Sequence, residues 1–161
     1  CFVNLNNAQD SRWQEREVEC SKEDKVLTSD LKCEKVDLFF IKPSNGFISK
    51  NSKFRVEFGS KNVLISPAGV MLDQEEGCTA TGHHHLIINN SYDVIKNIDM
   101  PIPFAQNVLH FGGGQTQADL TLSPGKYTLQ LVLGDYEHKP VKFQEDNNPV
   151  VSDIINIEIL P

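Results

Sequence analysis

From Val36 onward the apolar residues of this chain recur with period two, in short bursts separated by turn residues. That pattern decides the architecture. Lys53-Phe54-Arg55-Val56-Glu57-Phe58-Gly59 alternates polar and apolar, as a strand with one buried face must. Val36–Ile41 ends at Pro43-Ser44-Asn45-Gly46, where Asn and Gly tolerate the positive φ of a turn. Val63–Val70 reads as a strand fragment and a loop, and the acidic stretch Asp73–Cys78 leads into a strand at His83–Ile88. After an irregular passage over Asn89–Asn107, strands follow at Asp119–Leu122, Tyr127–Leu133 and Ile154–Leu160, the first two separated by Ser123-Pro124-Gly125-Lys126. No helix-period segment in this region exceeds two turns. About seven short strands with turn chemistry between them predict an all-β fold: a single antiparallel β-sandwich, immunoglobulin-like, with an N-terminal appendage.

The appendage is residues 1–35 and the sandwich domain residues 36–161. Gln9–Lys35 is dense in charge and has no glycine or proline, a texture unlike the rest. Phe2 and Trp13 within it are expected to anchor it to the domain or to a neighbour. A formal net charge of −7 argues against nucleic-acid binding, which needs a basic face. No apolar run approaches the length of a membrane span.

Cys1, Cys20, Cys33 and Cys78 include no CxxC pair, so structural zinc on thiolates is not expected. Disulfides formed in an oxidising compartment are the better reading, with Cys20–Cys33 closing a short loop and Cys1–Cys78 tying the N-terminal segment to the domain. A first-residue cysteine has a second meaning, since mature bacterial lipoproteins begin with a lipid-bearing one. Lipid on Cys1 would leave one other cysteine unpaired. Both readings place the protein outside the cytoplasm as a mature chain (periplasm, outer membrane or secreted).

All five histidines fall in three motifs: His83-His84-His85, His110 and His138. On a strand, alternate side chains share a face, so His83 and His85 point together and His84 points away. Two such imidazoles can close on one Zn²⁺ or Cu²⁺, with a third ligand from His110 or His138. Asp135 and Glu137 are available as carboxylates to orient the imidazoles from behind. The alternative, ranked first on the residues alone, is a buried hydrogen-bond network that locks a corner of the sandwich.

Gly112-Gly113-Gly114 has neither the helix nor the lysine of a phosphate cradle, and is read as a close approach of backbone to the histidines. Asp135, His138 and Ser152 lack a nucleophile elbow, and Asp135 is expected to cap a turn. Glu75 and Glu76 sit in a solvated loop.

The strings GHHHLIIN (Gly82–Asn89), PIPF (Pro101–Phe104), HFGGGQT (His110–Thr116), LSPGKYTLQLVLGDYEHKP (Leu122–Pro140) and PVVSDIINIEI (Pro149–Ile159) closely resemble the family called domain of unknown function 4399. KPSNGFISKNSKFRVEFG and SPAGV are similar to its opening strands, so the resemblance spans roughly Val36–Leu160. It implies a bacterial exported or lipid-anchored protein and assigns no activity. Two positions depart from the family pattern: Val141 stands where a further histidine is common, and Asn89 where an acidic residue is.

The function expected is a non-catalytic extracytoplasmic module, a structural or interaction subunit of a cell-envelope assembly. It would contact other envelope proteins, and the membrane only through lipid on Cys1. The alternative is a copper- or zinc-binding protein using His83, His85, His110 and His138. An enzymatic reading ranks last and would require a metal to activate water.

Overall fold

The computed structural model describes residues 35–72, 79–142 and 147–161. The chain divides between Lys32 and Cys33, and every described residue belongs to the second unit, Cys33–Pro161. The four cysteines lie outside the described residues, and with them the expected Cys20–Cys33 and Cys1–Cys78 pairs and the lipid alternative at Cys1.

The described residues form nine strands: β1 (Asp37–Lys42), β2 (Phe47–Ser49), β3 (Lys53–Lys61), β4 (Val63–Ile65), β5 (Ala80–Ile88), β6 (Val108–His110), β7 (Gln117–Thr121), β8 (Gly125–Gly134) and β9 (Ile155–Ile159). They make two sheets. One has the order β1-β3-β7; the other runs β2-β9-β8-β5-β4, with β6 also paired to β5. No helix interrupts them among the described residues. The fold is an all-β sandwich.

Alternation sets which side chains go inside. On β3, Phe54, Val56 and Phe58 are buried while Lys53 and Arg55 face solvent. On β8, Leu129, Leu131 and Leu133 enter the same core, joined by Ile155, Ile157 and Ile159 of β9. Each such burial stabilises the fold by about 1.5–3 kcal/mol relative to exposure.

The expected purely antiparallel pairing is corrected at two short strands. β2 pairs parallel with β9, and β4 pairs parallel with β5. In both places the chain leaves the small sheet and joins the large one: through Pro43–Gly46 in the first case, and through Asn62 at φ 54° in the second. Three-residue strands carry too little periodicity for their direction to be read from sequence.

β5 is the pivot. Eight of its nine residues are buried, because both of its faces are covered. Leu86 and Ile88 face the main core. Ile87 faces the other way, into a second cluster with Val94, Ile102, Val108 and Val132. Val94 and Ile102 belong to the irregular segment between β5 and β6, which their burial holds against the sheet's outer face. A central strand covered on both sides has no polar face left to alternate. That is where the three consecutive histidines lie.

Candidate metal centre

The period of two divides the histidine triplet as expected. His84 shares its face with Leu86 and sits in the sandwich interior, its ring centroid 5.2 Å from that of Phe58. His83 and His85 share the opposite face with Ile87, and their ring centroids are 4.6 Å apart. All three imidazoles are fully buried.

Two further rings complete the cluster. β6 pairs with β5 so that His110 lies opposite His85, and their ring centroids are 4.4 Å apart. His138 comes from the loop after β8, where it adopts φ 65°, a left-handed conformation. Its ring centroid is 4.9 Å from that of His83 and 5.7 Å from that of His85. One nitrogen each of His83, His85 and His138 lies within 4.8 Å of the other two. His110 stands beside this trio rather than within it.

The loop carrying His138 is built by Asp135. Its Oδ1 accepts hydrogen bonds from the backbone N–H groups of Glu137 and Lys139, both at 2.8 Å. The backbone N–H of Ile102 donates to the carbonyl of His138 at 2.7 Å, tying the loop to the covering segment. Glu137 pairs with its near neighbour Lys139 at 2.9 Å. Asp135 thus caps the turn, and neither expected carboxylate hydrogen-bonds an imidazole. The Asp135 charge still reaches His83 through space, favouring a cation there.

Expectation and structure part at the glycines. A Cβ on Gly112 would meet Ala68, one on Gly113 the side chain of Gln115, and one on Gly114 would reach Ile65 at 3.5 Å. None of them abuts the histidines. Gly114, at φ 79°, and its neighbours turn the chain between β6 and β7 instead. The close approach is made by Gly134, which pairs with His83 across β5 and β8. A Cβ there would collide with the His85 ring, lying 2.7 Å from Nδ1. Gly82 has the same constraint against the Gly134 carbonyl. The glycine of the GD dipeptide, which closes β8, was the signal for this, since Gly on a strand often marks a place where another group comes close.

The other residues weighed from sequence take structural roles. The Ser152 hydroxyl accepts from the backbone of Leu131 and donates to the carbonyl of Asp153, both at 2.8 Å. Val141 packs against the main core. Asn89 adopts φ 57°, and its Oδ1 accepts from the backbone of Thr128. Two residues not singled out as site residues are part of the cluster: the Pro103 carbonyl accepts from His110 Nε2 at 2.9 Å, and the Phe104 ring stacks on His110 at 3.9 Å.

Burial controls the ionisation of the cluster. It pushes His83 down to about 4, with the neighbouring His138 and His110 rings adding to the shift. It pushes His85 down to about 2, assisted by His110, His83 and His138. His84 falls to about 4 through burial and the nearby His83. Burial lowers His110 as well. At neutral pH the buried rings are uncharged, the form in which imidazole donates a lone pair to a metal. Neither ring nitrogen of His83, nor either of His85, has a hydrogen-bond partner among the described residues. The His83 backbone lies near enough to His85 to favour its charged form slightly, without hydrogen-bond geometry. His83 and His85 therefore do not form the backbone-satisfying network expected first, and His110, bonded to the Pro103 carbonyl, follows it at one nitrogen.

A family model described as Domain of unknown function (DUF4399) matches residues 56–160, and the chain belongs to that family. No curated protein and no solved structure matches the chain.

Proposed function

We propose that this member of the DUF4399 family is a metal-binding β-sandwich domain that takes Cu²⁺ or Zn²⁺ on His83, His85 and His138. One observation carries the reading: three imidazole nitrogens converge within 4.8 Å, and those of His83 and His85 are buried without hydrogen-bond partners among the described residues. Buried polar atoms are nearly always satisfied, and an ion is one of the few things that satisfies several lone pairs at once. Nitrogens at about 2.0–2.1 Å on one tetrahedral Zn²⁺ lie about 3.4 Å apart, so ring movements that draw the three together by up to about 1.4 Å close the set. An all-imidazole set suits zinc and copper and is a poor match for Mg²⁺ or Ca²⁺. The nearby Asp135 carboxylate favours the cation's charge.

The domain is read as non-catalytic and extracytoplasmic. Asp135 and Ser152 are committed to the backbone, which supports the first point. Four cysteines without zinc-ligand spacing support the second. The immunoglobulin-like type is part of the same proposal: the orders β1-β3-β7 and β5-β8-β9 correspond to strands A-B-E and C-F-G of that fold. A second role, docking to other envelope proteins, is favoured by Ile95, Met100 and Phe104, which are 75%, 59% and 78% exposed on the segment covering the histidines.

The test is titration of chelator-stripped protein with Zn²⁺ and, separately, with Cu²⁺. One equivalent bound by the wild type, and lost in His83→Ala and His138→Ala, supports the proposal. Binding below about a tenth of an equivalent, or binding unchanged in both variants, overturns it.

A further inference from the structure

The segment from Pro101 to Phe104 does more than cover the cluster. Ile102 is buried in the second core cluster, and its N–H holds the His138 carbonyl. The next residue accepts the His110 hydrogen bond through its carbonyl. The Phe104 ring then lies parallel to His110, tilted by 11°, with its centroid 5.5 Å from that of His138. One short segment therefore touches both rings that come from outside β5.

The hydrogen bond to Pro103 fixes the chemistry of His110. A carbonyl oxygen only accepts, so Nε2 must carry the hydrogen, and in the neutral ring Nδ1 then keeps its lone pair. Nδ1 is buried and has no hydrogen-bond partner among the described residues. A metal-bound histidine commonly has this arrangement, donating its remote N–H to a backbone carbonyl while the other nitrogen faces the ion. The ring already lies 4.4 Å from His85 and 5.3 Å from His138, centroid to centroid.

Resting on the three-histidine reading above, we infer that His110 is the fourth ligand, binding through Nδ1, and that Phe104 is its positioning residue and the cover past which the ion enters and leaves. His110 stands outside the converging trio, so coordination draws it inward. β6 is only three residues long and carries it at its last position, where such a shift disturbs little of the sheet. Four imidazoles complete a tetrahedral shell and leave no place for water, which agrees with a holding site rather than a hydrolytic one.

The experiment uses the stripped chain with Zn²⁺ and with Co²⁺ as a spectroscopic substitute. The wild type is expected to bind one Zn²⁺, and to give the intense visible Co²⁺ bands of a tetrahedral nitrogen site. His110→Ala and the polar His110→Gln should still bind one ion, at least about tenfold more weakly, with weakened Co²⁺ bands as water replaces the imidazole. Phe104→Ala should keep the stoichiometry and release Zn²⁺ to a competing chelator several-fold faster. If the wild type binds and both His110 variants match it in affinity and Co²⁺ spectrum, His110 is not a ligand and the three-histidine site stands alone. An unchanged release rate in Phe104→Ala removes the role given to that ring. A wild type that binds no ion overturns the metal reading itself.

Discussion

His84 offers the sharpest test of how β5 is buried, because it belongs to the triplet but not to the group of converging rings. Its ring is fully buried, and neither nitrogen has a hydrogen-bond partner among the described residues. In the unfolded chain it takes up a proton near pH 6.5; in the fold, burial holds that uptake down to about 4. Below pH 6.5 the unfolded state therefore gains a proton that the native state refuses. Stability present above 6.5 is lost as the pH falls toward 4, and the loss ends once the native ring also protonates. Each pH unit in that window costs about 1.4 kcal/mol for one group, so at pH 5 this single ring takes away about 2 kcal/mol. Against a typical total of about 5–15 kcal/mol, that is a large share.

His84→Leu removes the effect while keeping an apolar side chain of similar size beside Phe58. Urea unfolding followed by circular dichroism, on metal-free protein at pH 7.5 and at pH 5, is the assay. The variant should lose about 2 kcal/mol less than the wild type between the two conditions. At pH 7.5 it should be no less stable, since an unsatisfied polar group has been replaced by an apolar one. Parallel losses in the two proteins would show that His84 is not held neutral in the interior, and the reasoning would fail. His83 and His85 obey the same linkage, so the wild type as a whole should destabilise steeply over this range.

Further expectations concern the groups that place the rings. Gly134→Ala forces a methyl group into His85 and should cost about 1–3 kcal/mol, read as a lowered urea midpoint, together with weaker Zn²⁺ binding. Gly113→Ala meets only the flexible Gln115 side chain and should leave zinc affinity unchanged. Asp135→Ala should lower the urea midpoint by the equivalent of about 1–3 kcal/mol, since two backbone N–H groups lose their acceptor. Because that turn places His138, zinc affinity should fall with it, and Asp135→Asn, which keeps the side-chain oxygen, should recover most of both.

The sandwich was legible wherever one face of a strand is wet. Lys53–Gly59 alternates in sequence because solvent and core alternate along β3, and its observed span extends the expected one by only two residues. The split of the triplet followed from the same period, without knowledge of what either face meets. Legibility stopped at contacts between segments distant in sequence. Nothing in HFGGGQT says that Gly112 and Gly114 meet Ala68 and Ile65, and nothing in the GD dipeptide says that Gly134 presses on His85; register across β5 and β8 decides the last. Pro103 and Phe104 went unread for the same reason, since a carbonyl oxygen has no sequence signature and a phenylalanine in a loop predicts no particular partner.

The histidine face of β5 has an energetic shape that packing alone does not account for. Each buried, unsatisfied polar group costs about 1–3 kcal/mol, and His83 and His85 carry such nitrogens on a strand whose neighbours on the same face are isoleucine and valine. Larger aliphatic side chains in those places would extend the second core cluster and lift the penalty. Yet the local construction runs the other way: Gly134 gives up its side chain to admit His85, Asp135 spends its carboxylate shaping the loop that presents His138, and Pro103 holds His110 in one tautomer. Two separate segments, Gly134-Asp135 and the one carrying Pro103, accept local costs, and both serve ring placement. Structural Zn²⁺ in small domains contributes apparent binding energies of about 10–16 kcal/mol, enough to outweigh such costs several times over. An arrangement that is expensive without an ion and inexpensive with one is what a site built around a cation requires, whereas His84, equally buried but facing Phe58, has no such scaffolding around it.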